Sequence, residues 1–375
     1  MGITGIICEY NPLHLGHRKQ MERIREENPG ETIVCLMSGN FVQRGKPAIF
    51  HKSVRAKAAI LAGADLVLEL PVTAALSSAE GFAAEGVRIL SSFCDRLCFG
   101  AETADQELLM ATAKALLSNE FKALLRQELD QGLSFPVARQ AALGAMGKIL
   151  ETPNNILAVE YCKAILSQNS KMLPYPILRE GSYHDTEADR DNPSATAVRQ
   201  LMEDNHDWAQ FVPNADIYRG ATIHTLEMGE KAILARLRTM TDAEFEALPY
   251  GSEGLWHKLM KNARKFSTLE EILTATKSKR YTRTRLDRMV MCAFLGLTDQ
   301  DLSSPAPYVR VLAFNDKGRE VLKTAREVDN FPNIGEKLDS PYQTTESRCG
   351  SLYGLFADKP EPADAEENTR VQYLP

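Results

Sequence analysis

His14 and His17, with Gly16 between them, are the first side chains in this sequence whose types and spacing could do chemistry. They follow an apolar run, Gly5 to Cys8, and a turn-forming Asn11-Pro12, so the stretch reads as strand, loop and helix start. A helix amino terminus presents unpaired backbone N–H groups and a partial positive charge, which suits a phosphate. Gly16 would let the backbone come close, and the two imidazoles would add directed donors. Phosphoryl chemistry is the first expectation.

Further candidates stand at the ends of later apolar runs. Thr32 to Met37 reads as a strand buried on both faces, and it enters the loop Ser38 to Pro47, whose Arg44 and Lys46 could meet phosphate or RNA. Asp65 to Leu70 reads as a third strand. Arg96 to Phe99 reads as a short fourth that ends at Gly100. If the fourth strand lies beside the first, Gly100 forms the opposite wall of a nucleotide crevice. Met172 to Leu178 reads as a fifth strand delivering Arg179 and then His184 and Asp185, the two residues considered for a general base. Asn155 reads as a helix cap and Asn154 as a spare polar group; either could meet a base or ribose. Ser194 starts a helix that carries Arg199 one turn inside, where a guanidinium fork could grip phosphate oxygens.

The elements that must position these groups are those of an α/β protein. Residues 1–202 read as a Rossmann-like nucleotide domain with a parallel sheet. Residues 203–355 carry amphipathic patterns at Ala232 to Leu237, Gly254 to Met260 and Leu286 to Leu295, and read as a mainly helical second domain with Tyr308 to Phe314 as a strand. Residues 356–375, rich in Asp, Glu, Pro and Ala, read as a disordered acidic tail.

Composition narrows the class. The chain has 375 residues, 44% hydrophobic and 25% charged, as in ordinary globular proteins. No apolar run approaches the roughly 18 residues of a membrane span, and the start lacks a signal-peptide pattern, so a cytoplasmic protein is expected. The seven cysteines show no C-x-x-C spacing and read as buried thiols, and no metal-ligating set is assigned. Net charge is −6, which argues against a uniform nucleic-acid coat. From His257 to Arg288, however, ten Lys or Arg face three Asp or Glu. Localised basic charge in an acidic chain is the footprint of an RNA surface.

Taken together, Glu9-Tyr10-Asn11-Pro12 with His14-x-Gly16-His17, Met37 to Phe41 with Gln43-Arg44-Gly45, Glu69-Leu70-Pro71, Pro153 to Leu157 and Ser194-Ala195-x-x-x-Arg199 resemble the bacterial tRNA(Met) cytidine acetate ligase family of the HIGH nucleotidyltransferases. The likeness continues through Lys279 to Arg283 and Tyr308 to Phe314. It implies an enzyme that activates acetate with ATP and acetylates the exocyclic amine of the wobble cytidine in elongator tRNA(Met). It also implies ATP contacts from Ile7, Cys8, Glu9, Tyr10, Asn11, Pro12, Leu13, His14, Leu15, Gly16, His17, Arg18, Lys19 and Gln20, together with Gly100, Arg179 and Asn154 or Asn155. Leu13 and Leu15 depart from an aromatic residue and an asparagine in many relatives.

In that reading a carboxylate oxygen attacks the α-phosphate, pyrophosphate leaves, and the acyl-adenylate offers AMP as a good leaving group. Charge grows on phosphate oxygens, where one well-placed donor is worth about 3–4 kcal/mol. His14, His17 and Arg199 are the catalytic candidates, and Mg2+ is expected to share the charge. The RNA candidates are Arg44, Lys277, Lys279, Arg280, Arg283, Arg285 and Arg288, with Tyr281 as a stacking ring. Two other classes fit the histidine motif alone: a small-molecule adenylyltransferase, which the basic stretch disfavours, and a non-catalytic protein that binds ATP and RNA. The sequence carries no sign of oligomeric state.

Overall fold

A computed structural model describes residues 2–179, 193–326 and 330–375. Nine strands occur among the described residues: β1 Ile3–Cys8, β2 Thr32–Ser38, β3 Phe41–Val42, β4 Lys46–Pro47, β5 Leu66–Leu70, β6 Arg96–Ala101, β7 Leu173–Leu178, β8 Val311–Phe314 and β9 Gln372–Tyr373. Around the sheet stand α1 Leu15–Glu27, α2 Lys52–Leu61, α3 Val72–Ala75, α4 Ala79–Leu90, α5 Gln106–Leu117, α6 Asn119–Asp130, α7 Phe135–Leu143, α8 Pro153–Ser167 and α9 Ala195–Glu203. The remainder adds α10 Leu226–Thr239, α11 Asp242–Glu246, α12 Leu255–Lys265, α13 Leu269–Thr276, α14 Arg283–Leu295, α15 Asp299–Ser303, α16 Asp316–Ala325 and α17 Pro341–Tyr353.

Seven strands form one sheet in the order β7-β6-β1-β2-β5-β8-β9. From β7 to β5 every pairing is parallel, and β1 sits between β2 and β6. The expected neighbour relation of first and fourth long strands is therefore observed, and the chain order reverses between β1 and β6, where α/β sheets open a crevice. All seven residues of β2 are buried, as a central parallel strand covered on both faces requires. Ile7, Val34, Leu36 and Leu68 pack with Phe82, Val87, Leu109 and Val159 on one face. Ile6, Cys35, Met37 and Val67 pack with Met21, Ile24, Ala56 and Ala59 on the other. A separate apolar cluster joins Ile233, Leu237, Leu259, Ile272, Met289 and Tyr353 of the helical part.

Two expectations are corrected. Tyr308 to Phe314, read as a strand of the helical domain, instead contributes Val311–Phe314 to the main sheet, antiparallel to β5. The stretch 356–375, read as a disordered tail, carries β9, which pairs with β8, and buries Glu366 against Lys52 and Arg310. Its polar composition hides that anchor, because one buried carboxylate with two cationic partners docks the segment together with a few scattered apolar contacts, Phe356, Val371 and Leu374, that form no periodic pattern. The residues His184 and Asp185 lie outside those described.

Candidate active site

The loop after β1 is held by its own side chains and by one buried guanidinium. The Asn11 side-chain oxygen accepts the Ile49 N–H at 2.8 Å, and Glu9 Oε1 accepts the Gln43 N–H at 2.7 Å. Arg55 is fully buried and donates to the carbonyls of Glu9 at 2.6 Å, Ser38 at 3.0 Å, Phe50 at 2.9 Å and Gly39. One guanidinium thereby gathers the carboxyl ends of β1 and β2, and its charge is compensated by carbonyl dipoles.

His14 is the cap residue of α1, and His17 lies in its first turn. Their rings stack with centroids 3.7 Å apart. The Nδ1 atom of His17 accepts the His14 N–H at 3.2 Å, which leaves its Nε2 to carry the proton of the neutral ring. Burial, then the nearby Arg179 and Arg199 guanidiniums, lowers His14 to about 3. Burial and His14 hold His17 well below the ordinary imidazole range. Both rings are neutral at pH 7, so they offer directed N–H groups and no net charge. A Cβ at Gly16 would stand 3.1 Å from His14 Cε1, so the glycine makes room for the ring as well as for a ligand.

These rings open onto a cavity of about 1270 Å³ at the carboxyl ends of β1, β6 and β7. Of the ATP candidates, Ile7, Cys8, Glu9, Tyr10, Asn11, His14, Gly16, His17, Lys19, Gln20, Gly100, Asn154 and Arg179 line it. Pro12, Leu13, Leu15, Arg18 and Asn155 do not. Leu13 is in the core, and Arg18 pairs with Glu22 on the surface. Arg199 lines the cavity and donates to the Asn11 carbonyl at 2.5 Å, fixing its fork beside the loop.

The two asparagines separate clearly. Asn155 is buried and bonds through its side chain to the Thr103 N–H at 2.9 Å and hydroxyl at 3.1 Å. Asn154 faces the cavity, donating to Glu102 Oε1 at 2.7 Å and accepting from Arg179 at 3.4 Å. The cap residue of α8 is Thr152, not Asn155 as expected, and the first-turn N–H groups of Asn154 and Asn155 go to Glu102. A carboxylate from the end of β6 thus caps a helix distant in sequence, a signal that local patterns do not carry. A Cβ at Gly100 would lie 2.9 Å from Arg179 Cγ, so this glycine lets the arginine lie across β6.

The basic stretch divides in the same way. Lys277, Lys279 and Arg280 are exposed in the loop before α14, with Arg280 pairing to Glu253 at 2.8 Å. Tyr281 donates to Glu253, and the Arg285 guanidinium lies 4.9 Å from its ring centre. Arg285 also donates to the Tyr250 carbonyl at 2.8 Å. Arg283 grips both oxygens of Glu270 and pairs with Asp287 at 2.9 Å, so it ties α14 down and is not presented outward. Arg288 is only 9% exposed and lines the cavity with Arg44 and Lys46. A Cβ at Gly45 would stand 2.4 Å from the Arg288 backbone nitrogen; the glycine, at φ +70°, seats the 43–46 loop on α14.

A parallel sheet with stacked histidines at its first crossover is the architecture of a nucleotidyltransferase, and the family model described as HIGH Nucleotidyl Transferase matches residues 1–368. The tRNA(Met) cytidine acetate ligase of Clostridium acetobutylicum is 37% identical over 89% of this chain and 90% of its own length. That of Clostridium tetani is 35% identical over 97% and 98%. The crystal structure of Thermotoga maritima TmcAL in its apo form superposes with a TM-score of 0.91 at 29% identity over both whole chains. The same protein bound with alpha-thio ATP gives a TM-score of 0.88, again at 29% identity over both whole chains. The chain belongs to the tRNA(Met) cytidine acetate ligase family of HIGH nucleotidyl transferases.

Proposed function

We propose that the protein activates acetate with ATP and transfers the acetyl group to the exocyclic amine of the wobble cytidine of elongator tRNA(Met), giving N4-acetylcytidine. The observation that carries this reading is one cavity in which His14, His17, Arg179 and Arg199 meet Arg44 and Arg288. One wall suits a triphosphate and the other an RNA backbone.

In the first step an acetate oxygen forms a bond to the α-phosphorus, and the bond to the bridging oxygen breaks with its electron pair leaving on pyrophosphate. The neutral imidazole N–H groups and the α1 amino terminus stabilise the charge on the α-phosphoryl oxygens. Arg199 is placed to hold the departing phosphates. Among the described residues no group of three or more His, Cys, Asp or Glu could hold a metal. Magnesium bound with the triphosphate would add positive charge at the phosphate oxygens.

In the second step the cytidine nitrogen attacks the acyl carbon and AMP leaves. The wobble base is already single-stranded, so bringing it into the crevice avoids opening a duplex. Exposed Lys277, Lys279 and Arg280 supply the outer RNA contacts in this reading, and a cytoplasmic location goes with a tRNA substrate. Incubation with ATP, labelled acetate and separate tRNA transcripts tests it. Label in elongator tRNA(Met) alone, with equal AMP and pyrophosphate, is the expected result. Nucleotide transfer to a small molecule, or binding without AMP formation, would replace the reading with one of the other two classes.

A further inference from the structure

The cavity holds one recess of a different character from its polar mouth. On the sheet face opposite α1, Ile7 of β1, Phe82 of α4, Phe99 of β6, and Leu157 and Tyr161 of α8 converge in one apolar cluster and all line the cavity. Phe99 and Tyr161 stand 5.4 Å apart, ring to ring, and Leu157 and Tyr161 lie one helical turn apart. Close approach of α4 to β1 shapes the floor, since a Cβ at Gly86 would stand 2.5 Å from Ile7 Cδ1.

Tyr161 is only 4% exposed as a whole residue, and its hydroxyl, which makes no hydrogen bond among the described residues, is open to the cavity. An open hydroxyl on an otherwise apolar wall offers a donor to a ligand entering from the cavity. Burial pushes its ionisation upward, with the Cys8 and Glu9 side chains adding to the effect, so it stays a donor. The Glu9 carboxylate disfavours a second anion nearby. The Arg199 guanidinium, which interacts with Glu9, opposes that field.

We propose that this recess is the acid subsite, taking a two-carbon monocarboxylate with its methyl group against Ile7, Phe82, Phe99 and Leu157 and one carboxylate oxygen accepting from the Tyr161 hydroxyl. The inference rests on the ligase reading above. The other carboxylate oxygen then faces the phosphate held at His14 and His17. A ligand with one polar end and a short apolar end matches walls that supply one donor and otherwise carbon. A purine edge, needing several donors and acceptors, matches the Asn154 and Arg179 wall instead. Restriction to a small acid follows from the bulk of the two phenylalanines, since one extra methylene in such a pocket changes preference by roughly 10- to 200-fold.

The test uses the full chain with ATP, elongator tRNA(Met) transcript, and acetate, propionate or butyrate, following acyl transfer. Tyr161→Phe is expected to raise the KM for acetate about tenfold and leave the KM for ATP unchanged. Phe82→Ala is expected to raise the propionate-to-acetate ratio of kcat/KM about tenfold. Should Phe82→Ala fail to fold, Ala79→Val at the half-buried start of α4 narrows the recess, and acetate use falls while the KM for ATP holds. Unchanged acid kinetics in the folded variants, or a shift in the KM for ATP or tRNA instead, overturns the subsite. A wild-type protein that transfers no acid overturns the ligase reading and the recess with it, whereas an active wild type matched by its variants overturns the recess alone.

Discussion

Lys52 and Glu366 form an ion pair at 3.0 Å in the interior, joining the second helix to the carboxyl-terminal segment. Lys52 also meets Glu69 at 2.6 Å, and Arg310 shares Glu366, so α2, β5, the residue before β8 and the chain end are bound through one buried charge cluster. Removing one partner leaves the others uncompensated in a low-dielectric site. Glu366→Ala is expected to lower stability by about 3–5 kcal/mol, read as a reduced thermal midpoint. An unchanged midpoint would show that the segment docks without this cluster.

His17→Ala is expected to reduce turnover about 100- to 1000-fold while tRNA affinity is nearly retained, because the ring lines the cavity beside His14, whereas the exposed cations of the 277–280 loop do not line it. Filter binding and single-turnover acetylation on one preparation separate the two quantities. Acetylation at the parental rate would remove His17 from the mechanism.

Glu102 accepts from the Asn154 side chain, the Asn155 N–H and the Thr152 hydroxyl. Burial alone would raise its ionisation, and these bonds together lower it. Glu102→Ala is expected to cost about 1 kcal/mol of stability as a lost helix cap. It also frees Asn154 and Arg179, so the KM for ATP rises more than kcat falls. Equal loss in both constants, or none, would contradict a positioning role.

Two buried groups give the stability profile opposite slopes. His14 is lowered to about 3 in the folded protein against 6.5, so between these values only the unfolded chain is protonated. Stability from this group is present above 6.5 and is lost as pH falls toward 3. Glu69 is raised from 4.5 to about 7 by burial, against the pull of Lys52 and with the push of Glu346 and Glu366. The folded protein holds that proton between the two values, so its contribution is present below 4.5 and is lost as pH rises through about 7. Thermal melts across pH should show His14→Asn flattening the acid limb and Glu69→Gln the neutral-to-alkaline one. Profiles identical to the parent would exclude both assignments.

Lys279→Glu with Arg280→Glu is expected to weaken tRNA binding and to reduce the salt dependence by about one unit of log–log slope for each phosphate no longer neutralised. Arg283 is unsuitable for this test, since its bonds to Glu270 and Asp287 make it part of the α14 anchor. Unaltered affinity in the double variant would move the RNA surface elsewhere.

The helix-capping histidines, the apolar strands and the Ser194 helix start were readable because each depends on neighbours within a few residues. Arg55 was not: in sequence it is one of three cations on a helix, and in the fold it is the buried hub of four carbonyls from three separate segments. The asparagine cap was misplaced for the same reason, because Glu102, which satisfies the start of α8, comes from another element.

The sequence by itself determined the α/β class, the strand–turn–helix unit that carries His14 and His17, and the presence of a basic stretch, since strand pattern, turn residues and local charge are short-range properties. Only the tertiary structure decided which of those groups face one another. It sent Asn154 to the cavity and Asn155 to the loop after β6, turned Arg288 inward while Arg283 became an anchor, closed an apolar recess around Tyr161, and docked the polar chain end through Glu366. Each of these outcomes rests on partners far apart along the chain, whose attraction exists only once the sheet has brought them within a few ångströms.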